Sequence, residues 1–117
     1  MATKETYLYF SEGTGANAAG DCVVYPASKF LGIDPISSTT TRVSFQALTG
    51  NEADDDILLT HVSGKHKEVC QALANALNDD KAGLVIFWDV DNRIYTKMLR
   101  NLGCIDNSTT AVITLDT

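Results

Sequence analysis

A chain of 117 residues, 44% hydrophobic and 21% charged, has the composition of one folded domain, residues 1–117 around a single core, and not of a disordered segment. The net charge is −6 and the nine Lys and Arg form no block, which disfavours sequence-independent nucleic-acid binding, since that needs clustered cations. No apolar run reaches the length of a bilayer span, and "MATKETYLYF" lacks the basic segment, apolar core and cleavage site of a signal peptide. Neither membrane association nor secretion is expected.

Thr6 to Phe10 is β-rich and aromatic, and alternation puts Tyr7 and Tyr9 on one face. Ser11 to Gly20 reads as a flexible loop. Within it Gly13, Gly15 and Ala18 satisfy G-x-G-x-x-[GA], the pattern that lets backbone approach a pyrophosphate. That chemistry needs a helix to follow, and Gly20, Asp21 and the β-branched Val23-Val24 leave no room for one. Cys22 to Tyr25 is the second strand, ended by Pro26. Residues 31 to 40, "LGIDPISSTT", read as a loop around Pro35. Thr41 to Leu48 alternates, with Val43, Phe45 and Ala47 facing one way and Arg42, Ser44 and Gln46 the other. "TGNEADDD" reads as an acidic, turn-rich connection, and Ile57 to Val62 as the next strand.

His61 is in phase with Ile57 and Leu59, so it is expected to point inward and be hydrogen-bonded. With His66 it has the wrong spacing for a metal pair, which wants i, i+4 on one helix or facing strand positions, plus a third ligand. "SGKHKEVCQALANALNDD" is helical over about 64–79. His66, Val69, Cys70, Leu73, Ala76 and Leu77 form its apolar stripe, Ser63 is the expected N-cap, and Asn78-Asp79-Asp80 and Gly83 close it. The three cysteines, Cys22, Cys70 and Cys104, form no C-x-x-C, so neither a disulfide framework nor a zinc site is expected.

Leu84 to Trp88 is apolar on both faces, the mark of a central strand. It runs into Asp89-Val90-Asp91, and a hydrophobic strand followed by D-x-D opens the active site of haloacid-dehalogenase-like phosphatases. The Gly-Thr expected after the second Asp is replaced by Asn92-Arg93, and no acidic pair follows a strand downstream. The pattern therefore reads as a hairpin, with its tip at Val90-Asp91-Asn92 and its return strand over Arg93 to Lys97. Leu99 to Asp106 is open between strand and irregular structure. Asn107-Ser108-Thr109 reads as a polar loop, and Thr110 to Asp116 alternates again.

These elements predict an α+β, mostly β fold. Six to seven short, mainly antiparallel strands would form a small barrel or sandwich, with one helix packed on it. Regular strands must turn some aromatics outward, which makes Tyr7, Tyr9 and Trp88 the candidate interface residues. No catalytic, cofactor-binding or metal-binding set is expected.

The segments "TYLYF", "CVVYPASKFLGIDP", "ILLTHVSGKHKEVCQALANALND", "GLVIFWDVDNRIY" and "AVITL" resemble small uncharacterised proteins encoded among the structural genes of marine tailed phages, cyanophages especially. Ser63, His66, Val69 and Leu73 carry the helix match and Gly83 to Asp89 the strand match. The chain departs from that pattern after Tyr95, with a longer segment, Leu99 to Ser108. The resemblance implies a virion or assembly-associated protein, located in the host cytoplasm during assembly and then in the particle. Its partners would be further copies of itself and other virion proteins, without catalysis.

Short strands around one helix also resemble Sm-type barrels. This frames a second class of function, a nucleic-acid- or ligand-binding barrel using Arg42, Lys65, Lys67, Arg93, Lys97 and Arg100, which requires those cations to line one channel. A third class, a metal-dependent hydrolase, would use Asp89 and Asp91.

Overall fold

Apolar alternation organises β1, β2, β4, β5 and β8 of the computed structural model, which describes residues 5–13, 21–47, 54–78 and 83–115. β1 (Thr6–Ser11) turns Leu8 and Phe10 inward and Tyr7 and Tyr9 outward. β2 (Cys22–Pro26) pairs antiparallel with β1 and is followed by a single 3-10 turn, Ala27–Lys29. β3 (Phe30–Ser37), β4 (Thr40–Gln46) and β5 (Asp54–Thr60) follow as antiparallel neighbours. Helix α1 (His66–Leu77) leads to β6 (Gly83–Asp89), which lies parallel to β1. Then come β7 (Ile94–Tyr95), helix α2 (Lys97–Asn101) and β8 (Thr110–Thr114).

The strands form two sheets of four, in the orders β2-β1-β6-β7 and β3-β4-β5-β8. The fold is mostly β with one main helix, and of the two predicted forms it is the sandwich. Among the described residues no ladder joins the sheets into a closed barrel, so the Sm-type analogy does not hold at the level of architecture. Side chains meet between the layers instead. The Phe10 ring lies 5.8 Å from Phe45, and Tyr25 stacks on Phe45 at 4.4 Å and 6°. Aromatic pairs of this kind add about 0.5–1.5 kcal/mol to the area they bury. α1 buries Val69, Ala72, Leu73 and Ala76, and touches β1 and β6 of one sheet and β4 of the other.

Side chains of the first sheet and of its flanking turns also reach β8. The Trp88 indole N–H donates to the Thr110 carbonyl at 3.2 Å, and Ile113 N–H donates to the Glu12 carboxylate. Arg93 donates to the carbonyls of Thr109 and Asp106.

Several expectations are corrected. Residues 31–40 are not a loop, because β3 is an edge strand, where the missing N–H of Pro35 costs nothing, and two register shifts bend it. Asp54-Asp55-Asp56 opens β5 instead of ending a connection. Strand alternation splits the three charges, turning Asp55 inward to accept from the Tyr25 hydroxyl at 2.8 Å and leaving Asp56 to accept from Ser44. The helix begins at His66, with no side-chain cap from Ser63. Gly64 sits at φ +78°, outside helical space, and Lys65 holds the cap position. Asn78 closes the helix by donating its side-chain amide to the Ala74 carbonyl, whereas Asp79 and Asp80 lie outside the described residues, as do Leu48, the expected end of its strand, and 49–53 of the acidic connection. The hairpin's return strand is only Ile94–Tyr95, since Thr96 accepts from Leu99 N–H and starts α2. β6 is central only beside β7; further back, Leu84 and Ile86 are exposed.

Candidate functional site

The outward side chains of β2, β1 and β6 come together on one face. Pairing sets Tyr7 beside Leu84, and Tyr9 beside Ile86 on one side and Val24 on the other. Tyr7 is 43% exposed, Val24 39%, Leu84 59% and Ile86 37%. The outward positions Tyr7, Tyr9, Cys22, Val24, Leu84 and Ile86 carry no charge. Tyr9 is half-buried and bonds to the Cys22 side chain; burial first, and then that bond, push its hydroxyl pKa up to about 12. It is therefore a neutral donor at physiological pH. A contiguous apolar and aromatic face on a chain of net charge −6 is a surface suited to contact with protein.

Tyr7 and Tyr9 lie where alternation placed them, but Trp88 does not. It is fully buried, 5.5 Å from the Tyr95 ring and edge-on to it, with Phe87 on its other flank. A register shift explains this. Tyr9 pairs with Ile86 but Phe10 pairs with Trp88, so Phe87 is an extra residue and both large rings turn inside. The second layer that Trp88 requires is supplied by the same chain. Val24, Leu84 and Ile86 take its place on the outer face. Their exposure was not readable, because it depends on β6 lying beside β1.

The D-x-D segment is the tip of the β6–β7 hairpin. Asp89 is buried and its carboxylate holds the turn. One oxygen accepts from Ser11 Oγ at 2.8 Å and from Asn92 N–H at 3.2 Å, and the other accepts from the Asn92 side-chain amide at 3.0 Å. Asp91 N–H donates to Ser11 Oγ. These bonds commit both carboxylate oxygens to the backbone fold. The left-handed residue at the tip is Arg93, at φ 55°. Its guanidinium spans the ring of Tyr95 and two carbonyls. The tip also explains Gly13, at φ +89°, where a Cβ would lie 2.5 Å from Val90 Cγ1. Gly15 and Ala18 lie outside the described residues.

His61 points inward, as its phase indicates, and His66 joins it. Their ring centroids are 5.0 Å apart and both reach the buried Thr41 hydroxyl. His61 Nδ1 faces the Val62 carbonyl at 2.8 Å and so donates to it. In neutral His61 the other nitrogen then accepts from Thr41 O–H, and His66 Nδ1–H donates to Thr41 Oγ1. Burial lowers the His61 pKa; the Val62 bond opposes this and His66 adds to it. The chain of bonds ties β4 to β5 and to the start of α1. Thr41 carries no sequence signal for this role.

Cys104 is buried, and burial and the nearby Glu68 push its thiol up to about 11 against the pull of Lys65, the opposite of an activated nucleophile. The cations of the barrel reading fall on separate elements. Arg42 on β4 pairs with Asp34 at 3.1 Å, Arg93 holds the hairpin, Lys65 and Lys67 flank the start of α1, and Lys97 and Arg100 lie on α2. Among the described residues no group of three or more His, Cys, Asp or Glu is placed to hold a metal ion. Comparison with protein-family models, with curated proteins and with solved structures finds no match for the chain.

Proposed function

We propose that this chain is a non-enzymatic, self-associating β-sandwich that contributes to a phage particle or its assembly. The observation that carries the reading is the uncharged outer face of Tyr7, Tyr9, Val24, Leu84 and Ile86 on an otherwise acidic chain. Burying such a face releases water from apolar surface at about 25 cal/mol per Å², and a second copy offers the same face without opposing charge. The assignment to a phage particle rests on the sequence resemblance alone. Partners would be copies of the chain and other virion proteins, encountered in the host cytoplasm and retained in the particle.

Light scattering at micromolar concentration tests self-association, and mass spectrometry of purified virions tests the location. Tyr7→Ser combined with Leu84→Ser is expected to reduce the associated fraction while leaving the fold intact by circular dichroism. A strict monomer that also fails to bind virion proteins overturns the proposal.

A further inference from the structure

The two sheets have four outer edges, and they are finished differently. β3 carries Pro35, two register shifts and the Asp34–Arg42 ion pair. β8 has Ile113 N–H taken up by Glu12 and, just before the strand, the Thr109 carbonyl taken up by Arg93. β2 is five residues long and ends in Pro26. Prolines, bends and engaged backbone groups are the usual means by which an edge is kept from pairing with another chain.

β6 has no proline and, among the described residues, no ion pair, and its one bulge, at Phe87, lies beyond the stretch Gly83 to Ile86. β7 covers only Trp88 and Asp89, so Gly83 to Phe87 have β1 on one side and no strand on the other among the described residues. Gly83 N–H donates to the Glu5 carbonyl on the β1 side. Backbone groups of successive strand residues point to opposite sides, so Val85 also aims at β1, whereas Leu84 and Ile86 aim their N–H and C=O groups away from it. The same two residues contribute apolar side chains to the exposed outer face. From Gly83 to Trp88 there is neither charge nor proline.

We infer that this bare edge of β6 is where a second copy of the chain pairs, antiparallel, about a two-fold axis at Val85. The inference rests on the self-association reading above and names its contact. Leu84 lies opposite the partner's Ile86, and Ile86 opposite the partner's Leu84. Each pair exchanges two N–H to C=O bonds, which satisfies the four outward backbone groups. Val85 faces the partner's Val85 at the close, non-hydrogen-bonded position. A two-fold sets each side chain near its own copy, so a charge on this strip would meet its like; the strip has none, although the chain carries −6. The outer faces of the two copies then run on as one apolar surface.

Sedimentation velocity on the full chain from about 1 to 100 µM, a range bracketing contacts of modest affinity, gives the dissociation constant. The probes are Ile86→Lys on the bare edge, Val24→Lys on β2 of the same face, and Val85→Cys under mild oxidant beside the wild type. A wild-type dimer is expected. Ile86→Lys weakens it at least about tenfold, the factor that separates a direct contact from scatter. Val85→Cys gives a reductant-sensitive covalent dimer that the wild type does not form. If the dimer survives Ile86→Lys, or if Val85→Cys fails to cross-link while the dimer persists, the edge is overturned and self-association stands. Loss with both lysine variants supports the edge when the cross-link forms and overturns it when the cross-link does not. A monomeric wild type overturns the edge together with self-association, and the whole proposed function if virion proteins also fail to bind.

Discussion

The outer faces of the two sheets differ more than their inner faces do. Inward, both supply large apolar rings to one core, with Phe10 and Tyr25 from one side meeting Phe45 from the other. Outward, the β3-β4-β5-β8 sheet exposes Leu31, Ile36 and Val112 but intersperses them with polar pairs. Arg42 pairs with Asp34 and Ser44 bonds to Asp56, so Ile36, Leu58 and Val112 are set among polar groups in a shallow depression. The β2-β1-β6 face has Tyr7, Val24, Leu84 and Ile86 and no ion pair among the described residues. The inner faces are constrained alike by packing, whereas the outer ones are constrained only by what they meet. The difference therefore lies in how far polar pairs interrupt the apolar side chains that each face exposes.

The largest test of this contrast removes the seam that holds the two faces back to back. Trp88→Ala deletes the ring between the layers and its bond to β8; a loss of about 3–5 kcal/mol is expected from urea denaturation. Next comes Gly13→Ala, which pushes a methyl into Val90 at a left-handed position and is expected to cost about 1–3 kcal/mol. Val90→Ala in the same chain should recover part of that loss, whereas a purely local backbone effect would not be recovered.

Acid probes the join from β4 and β5 to the helix. Burial holds the folded pKa of His61 below its unfolded value, so the unfolded chain takes up the proton first. This contribution to stability is whole above the unfolded value of about 6.5 and declines as pH falls through it. Protonation also makes His61 Nε2 a donor toward Thr41, which already receives the His66 N–H. The expected result is a urea midpoint that falls between pH 7.5 and 5 by more in the wild type than in His61→Gln. Equal slopes would remove His61 from the account. The smallest effect belongs to the polar face. Arg42→Ala breaks an exposed pair, and a change within about 0.5 kcal/mol is expected, with no change in light scattering.

The core was legible wherever alternation was clean. Val43, Phe45 and Ala47, the stripe of α1 and the inward phase of His61 all follow from local period. The errors have local causes too. Pro35 and the Asp54–Asp56 run carry turn composition, yet an edge tolerates the first and alternation separates the second. Trp88 needed knowledge of a bulge, and the apolar patch needed the pairing of β1 with β6, which no local window contains. Tyr7 and Tyr9 were readable because both lie on one strand, whereas Leu84 and Ile86 join them only through register.

That register has a consequence in time. Thr6 pairs with Gly83, so the β1–β6 ladder waits for most of the chain and for the entropy of a very long loop closure. β3, β4 and β5 are successive antiparallel neighbours and close far shorter loops. During synthesis β1 therefore has only β2 beside it until β6 emerges, while β3, β4 and β5 have already been made. Refolding yield should fall as concentration rises, because the edge of β1 that β6 later takes stays open while that long loop closes.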